Sequence, residues 1–195
     1  MSADGGQAAG PAASVESAEQ VIAATRRWLE RAVIGLKLCP FAARPHSSNR
    51  VRYCVSEQRT SAGLLEDLSR ELRSLHDVAA AECETTLLIH PWVLTDFHRY
   101  NDFLADCDEL LVQLDLEGEL QVASFHPAYQ FAGTSARDID NYTNRSPYPM
   151  LHLLREASVE QAIASFPGID DIGANNIQTL RRLGHEGWRR LWINE

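Results

Sequence analysis

Apolar positions recur three and four residues apart through Val21, Thr25, Trp28, Leu29, Ala32, Val33 and Leu36, which predicts an amphipathic helix ending around Gly35. The segment KLCPFAARPHSSN that follows has two prolines and a polar end and reads as a loop. VRYCVS then places Val51, Tyr53 and Val55 on one face, the alternation of a strand. Leu64, Leu65, Leu68, Leu72 and Leu75 return to helical spacing. CETTLLIHP predicts a second strand, apolar enough over residues 87–89 to lie buried in the middle of a sheet. A third helix is expected with Thr95 as N-cap, Phe97, Tyr100, Leu104, Leu111 and Leu114 inward, and Asp96, Asp102, Asp106 and Glu109 largely outward. GELQVASFHP supplies a turn and a third strand.

Helices alternating with strands imply parallel pairing through right-handed crossovers. The expected fold is therefore an α/β, small layered domain: a short parallel or mixed sheet of about three strands, covered by helices. Beyond the third strand, residues 128–145 are polar and irregular. Shorter helices are expected after them, one starting at Pro147 with Ser146 as N-cap and another over residues 175–183, stopped by Gly184. This helical C-terminal region would cover one face of the sheet. Residues 1–14 are Ala- and Gly-rich and read as a disordered tail, leaving residues 15–195 as a single domain.

Charge narrows the partners. A net charge of −9 and a pI of about 5.2 lack the clustered cations that nucleic acid or an anionic membrane surface requires. No apolar run reaches the roughly 20 residues of a membrane span. Cys39, Cys54, Cys83 and Cys107 show neither Cys-x-x-Cys pairing nor a disulfide framework, and no secretion signal leads the chain, so a cytoplasmic location is expected.

Two strands end in the same dipeptide, LLIHP and ASFHP. If those strands are parallel, His90 and His126 lie at one carboxyl edge of the sheet, where open α/β folds place ligands. The plainer alternative is that proline ends a strand, having no amide hydrogen to donate, while each histidine satisfies a neighbouring carbonyl. The long irregular segment after His126 holds Tyr129, Phe131 and Tyr142, aromatic residues that disordered segments lack. It should be ordered, with polar groups that need partners or a ligand. Its end, Asn144-Arg145-Ser146-Pro147, resembles a helix start able to hold a carboxylate or phosphate; the alternative is that Arg145 pairs with Asp138 or Asp140 and pins the loop. On the helix expected there, His152 and Arg155 are three apart and share a face. Cys39 is the one cysteine set in a loop beside a proline, but no adjacent base marks it as a nucleophile. Phosphate-binding Gly-rich loops and the Gly-x-Ser-x-Gly elbow are absent.

The segments LCPFA, ETTLLIHP, DFHRYNDFL, SFHPAYQFAGT and NYTNRSPYPMLHLLRE together resemble the bacterial family named domain of unknown function 1415, over nearly all the chain after the tail. The resemblance implies a small soluble bacterial protein. It supplies no activity and no catalytic residues.

Three functional readings follow from the residues. In the first, an enzyme acts on a small anionic molecule, by metal-assisted hydrolysis or oxidation. His90 and His126 are its acid/base groups, Asp140 or Asp138 orients them, and Tyr129, Asn141, Asn144, Arg145, Ser146, His152 and Arg155 hold the substrate. His90, His126 and His152 could then ligate a divalent zinc or iron ion, although no metal-specific spacing is present. The second reading is a non-catalytic small-ligand or anion-binding module in which Arg145 matters and the histidines are structural. In the third, GWRRLW presents Trp188 and Trp192 to a protein partner.

Overall fold

The computed structural model describes residues 16–165 and 171–193; the tail expected over residues 1–14 lies outside them. Helix α1 (Ala18–Trp28) begins in a capping box, Ser17 and Gln20 each accepting from the other's backbone amide, and runs into a wider π-helical stretch, Leu29–Ile34. A short α2 (Ala43–Ser47) leads to strand β1 (Val51–Val55), α3 (Ser61–Asp77), strand β2 (Thr85–Ile89), α4 (Phe97–Gln113) and strand β3 (Leu120–Phe125). Asp96, not Thr95, caps α4: its carboxylate accepts from the Arg99 amide at 3.0 Å. A 3₁₀ turn (Ile139–Thr143), strand β4 (Met150–Arg155), α5 (Glu156–Ser165) and α6 (Ile172–Arg190) complete the chain.

The sheet has four strands, one more than the periodicity suggests, in the order β1-β2-β4-β3. β1 and β2 pair in parallel, and β4 runs antiparallel between β2 and β3. β3 therefore points the same way as β2 without touching it. The helix expected from Pro147 is strand β4 instead. MLHLLR is apolar on both faces, a pattern that fits a central strand as well as a buried helix, and Pro149 holds the preceding residue extended.

β2 is buried along its whole length, as its apolar run predicts. On one face of the sheet, Leu88, Leu151 and Leu153 pack against Leu64, Leu68 and Leu72 of α3 and Tyr100, Phe103 and Cys107 of α4. On the other, Leu87, Ile89 and Met150 pack against Val21 and Trp28 of α1 and Leu180 and Trp188 of α6. The C-terminal helix thus covers one face, as expected. Gly184 does end a helical segment (φ 64°, ψ 173°), but the chain turns there and continues helically, which carries Trp188 back onto the sheet.

Strand geometry also separates His152 from Arg155. Residues three apart in a strand face opposite ways, so these two share no face. His152 lies on the α1 side, near Phe125, and donates to the Thr85 hydroxyl at 2.7 Å, since that hydroxyl spends its own proton on the Leu153 carbonyl. Arg155 lies on the α3 side, where its Nη2 reaches the carbonyls of Leu75 and Val78 (both 2.6 Å) and of Cys83 (3.1 Å). It closes the carboxyl end of α3, which no glycine caps. Arg155→Met keeps an apolar stem but removes the nitrogen that all three carbonyls share. Chemical denaturation of this variant should show a loss of about 1–2 kcal/mol, and an unchanged midpoint would exclude the capping role.

Candidate functional site

Because β2 and β3 run the same way, His90 and His126 do lie at one edge of the sheet, both on the α4 side. Each His-Pro opens a turn. The His90 carbonyl accepts from the Val93 amide (3.5 Å) and the His126 carbonyl from the Tyr129 amide (3.1 Å), with proline at the second turn position. The two side chains then serve one loop. His90 Nδ1 donates to the Val93 carbonyl at 2.9 Å, and His126 Nε2 donates to the Leu94 carbonyl at 3.2 Å. Leu94 sits in the left-handed region (φ 54°), a strained conformation for a leucine, and the two imidazoles hold the carbonyls on either side of its Cα. The ring of Tyr100 stacks on His90 (centroids 5.7 Å apart) and lies tilted by 39° against His126 (5.0 Å), while its hydroxyl donates to the Met150 carbonyl and accepts from the Phe125 amide.

This arrangement gives the histidines a structural task. His126 Nδ1 accepts from the Ala128 amide, so both its ring nitrogens are engaged. His90 has an unpartnered Nε2, but that atom is fully enclosed. Burial lowers the pKa of His90 to about 4 and that of His126 below the ordinary histidine value, so both are neutral at pH 7. The trio expected to ligate zinc or iron does not assemble, because His152 lies across the sheet from the other two. Among the described residues, no three His, Cys, Asp or Glu side chains are grouped to hold a metal ion.

The segment after His126 is ordered, and most of its expected substrate-binding groups organise the segment itself. Asn141 is fully buried; its Oδ1 accepts from the Phe131 amide and its Nδ2 donates to the Ser135 carbonyl. Asn144 donates to the Ser124 carbonyl, closing the outer end of β3. Tyr129 packs between Phe97 and Phe131. Asp138 accepts from the Ser135 amide and hydroxyl. Asp140, expected near the histidines, forms a two-point ion pair with Arg181 of α6 (3.0 and 2.7 Å). Cys39 is a half-buried thiol whose pKa burial raises, which keeps it protonated.

Arg145 differs. It pairs with neither Asp138 nor Asp140. Its Nε donates to the Tyr129 carbonyl (3.2 Å), its Nη2 to the Ala136 carbonyl (2.7 Å), and its guanidinium lies 4.4 Å over the Tyr142 ring, which leaves further N–H groups without a carboxylate. It borders a cleft of about 340 Å³ at the same sheet edge, on the α1 side, with Arg27, Trp28, Tyr142, Trp188 and Trp192. Ser146 and Pro147 are at its rim, not at the start of a helix; the Ser146 hydroxyl donates to the Tyr148 carbonyl. Trp28 is fixed by its indole N–H, which donates to the Arg145 carbonyl at 2.9 Å.

The cleft wall is rich in donors and has no acid. Neither Arg27 nor Arg145 meets a carboxylate among the described residues, and no hydrogen bond there uses the indole N–H of Trp188 or Trp192. Sequence reading found Arg145 and Ser146 but missed Arg27, Trp28 and Tyr142 as lining. The available signal was Ala24, Arg27 and Trp28 at helical spacing on one face of α1.

Fold and cleft together define a small mixed-sheet α/β protein with a pocket lined by arginine and tryptophan at one sheet edge. The chain belongs to the family described as protein of unknown function (DUF1415), whose model matches residues 20–190. No curated protein and no solved structure matches it. No helix among the described residues is long and apolar enough to cross a membrane.

Proposed function

We propose that the protein binds a small anionic molecule in the cleft between α1, the 3₁₀ turn and the end of α6. The carrying observation is the pair Arg27 and Arg145, two guanidinium groups without carboxylate partners lining one cleft of a chain whose net charge is −9. Among the described residues, Arg50, Arg52, Arg70, Arg181 and Arg190 meet carboxylates, and of the arginines that do not, Arg27 and Arg145 are the two that line this cleft. An oxyacid group could take N–H donors from Arg27 and from Nη1 of Arg145, whose Nε and Nη2 already hold carbonyls. His90 and His126 support the site indirectly, by holding the strand ends and the loop between β2 and α4. Four unpaired cysteines suit a reducing, cytoplasmic setting.

Arg27 is the clean probe: it is exposed and holds no other part of the fold. Thermal-shift and calorimetric titration with acetate and inorganic phosphate should show saturable binding to the wild type. Arg27→Gln should weaken it about 10-fold or more, with an unchanged unliganded melting temperature. Equal affinity in both proteins would rule out the cleft as the site.

A further inference from the structure

We infer that the anion this cleft takes carries a planar ring, as an aryl or heteroaryl carboxylate or phosphate; this rests on the cleft being an anion site. The support is the aromatic lining: Trp192 and Tyr142 are half-buried, and Trp28 and Trp188, mostly buried in the apolar layer over the sheet, turn what remains of their rings to the cleft. Trp188 meets Tyr142 nearly edge-on (centroids 5.0 Å apart, planes at 80°), and Trp192 meets Trp188 in the same manner (5.6 Å, 68°). In an edge-on contact the ring that offers its rim keeps its faces clear of that neighbour, while the other ring has one face covered. Trp28 is turned likewise against Phe125 (5.3 Å, 71°). These rings stand at steep angles to their neighbours around a cleft of about 340 Å³, the lower range of small-molecule sites.

Charge fixes the rest of the ligand's character. An aromatic enclosure alone would suit an organic cation. Here two guanidinium groups share the wall and no carboxylate does, which repels a cation and attracts an oxyacid. The two requirements meet in one molecule whose flat apolar part lies against tryptophan and whose anionic group reaches Arg27 and Arg145. The same donors accept a carboxylate or a phosphate monoester, so geometry assigns the ring and the charge, while the choice of oxyacid is left to titration.

The test is a titration of the full chain, followed by tryptophan fluorescence and calorimetry, with acetate, cyclohexanecarboxylate, benzoate, inorganic phosphate and phenyl phosphate. Benzoate should bind at least about tenfold tighter than acetate, and phenyl phosphate tighter than phosphate by a similar factor. Cyclohexanecarboxylate, with the same charge but a puckered ring, should fall between acetate and benzoate. The tighter of the two aryl ligands identifies the oxyacid. Trp192→Leu alters a half-buried side chain near the end of α6, and circular dichroism checks its fold. It should shrink the benzoate–acetate ratio and leave acetate affinity in place. If benzoate binds no tighter than acetate while Arg27→Gln weakens both, the ring is wrong and the anion site stands. If Arg27→Gln changes the affinity of none of the five, the anion site itself fails and the ring falls with it.

Discussion

Replacing Tyr100 by phenylalanine is expected to destabilise the protein by about 2–4 kcal/mol, a large effect for the loss of one oxygen atom. Tyr100 is fully buried, and its hydroxyl joins two strands: it donates to the Met150 carbonyl of β4 at 2.8 Å and receives the Phe125 amide of β3 at 3.0 Å. Phenylalanine keeps the ring between the two imidazoles but leaves a buried donor and a buried acceptor facing apolar carbon. The consequence should be local as well as global. Phe125 is the last residue of β3, and the turn after it, beginning at His126, leads through Pro127 to the cleft. Tyr100→Phe should therefore raise amide hydrogen exchange at residues 124–128 before it does so in α3. A loss below about 0.5 kcal/mol, the level of an ordinary surface change, would mean that this hydroxyl does not join the strand ends.

Acid should unfold the protein in a window set by its buried histidines. Burial lowers the pKa of His90 and of His152 to about 4, and His126 shifts the same way. The folded chain thus refuses protons that the unfolded chain binds near pH 6.5. Stability from this source is fully present above about pH 6.5 and is lost as pH falls from there toward 4. For the fully enclosed His90 alone the loss amounts to about 3 kcal/mol. His126 and His152 add to it. Urea midpoints measured from pH 7.5 to 4.5 should fall steeply below pH 6.5, and His152→Leu should make that slope shallower. Midpoints that stay level down to pH 5 would show that the imidazoles can be protonated in the folded protein.

The same residues show how far the sequence alone could be read. Periodicity located α1, α3, α4 and the first three strands because each of these segments is apolar on one face, or, in β2, apolar throughout and bounded by turn residues. It failed at residues 147–155. A central strand covered on both faces has no alternation to distinguish it from a buried helix, and that one misreading put His152 and Arg155 on a shared face. The sheet edge was legible too. Two strand–His–Pro endings do mark it, but the histidines hold a left-handed turn, and the groups that line the cleft come from elsewhere. Arg27 and Trp28 are far from Trp188 and Trp192 in the chain, and only the fold of α6 over the sheet brings them together. No local spacing could announce that pairing.

The most direct test of the cleft follows the indole ¹⁵N–¹H resonances, assigned with Trp188→Phe and Trp192→Phe, while benzoate is added to the full chain. If the cleft binds anions, the Trp188 and Trp192 signals will shift together and saturate with one dissociation constant, the Trp92 signal will stay in place, and Arg27→Gln will weaken the response about tenfold. Shifts at Trp92 as large as those at Trp188 and Trp192, or shifts that never saturate and ignore Arg27→Gln, would contradict the account.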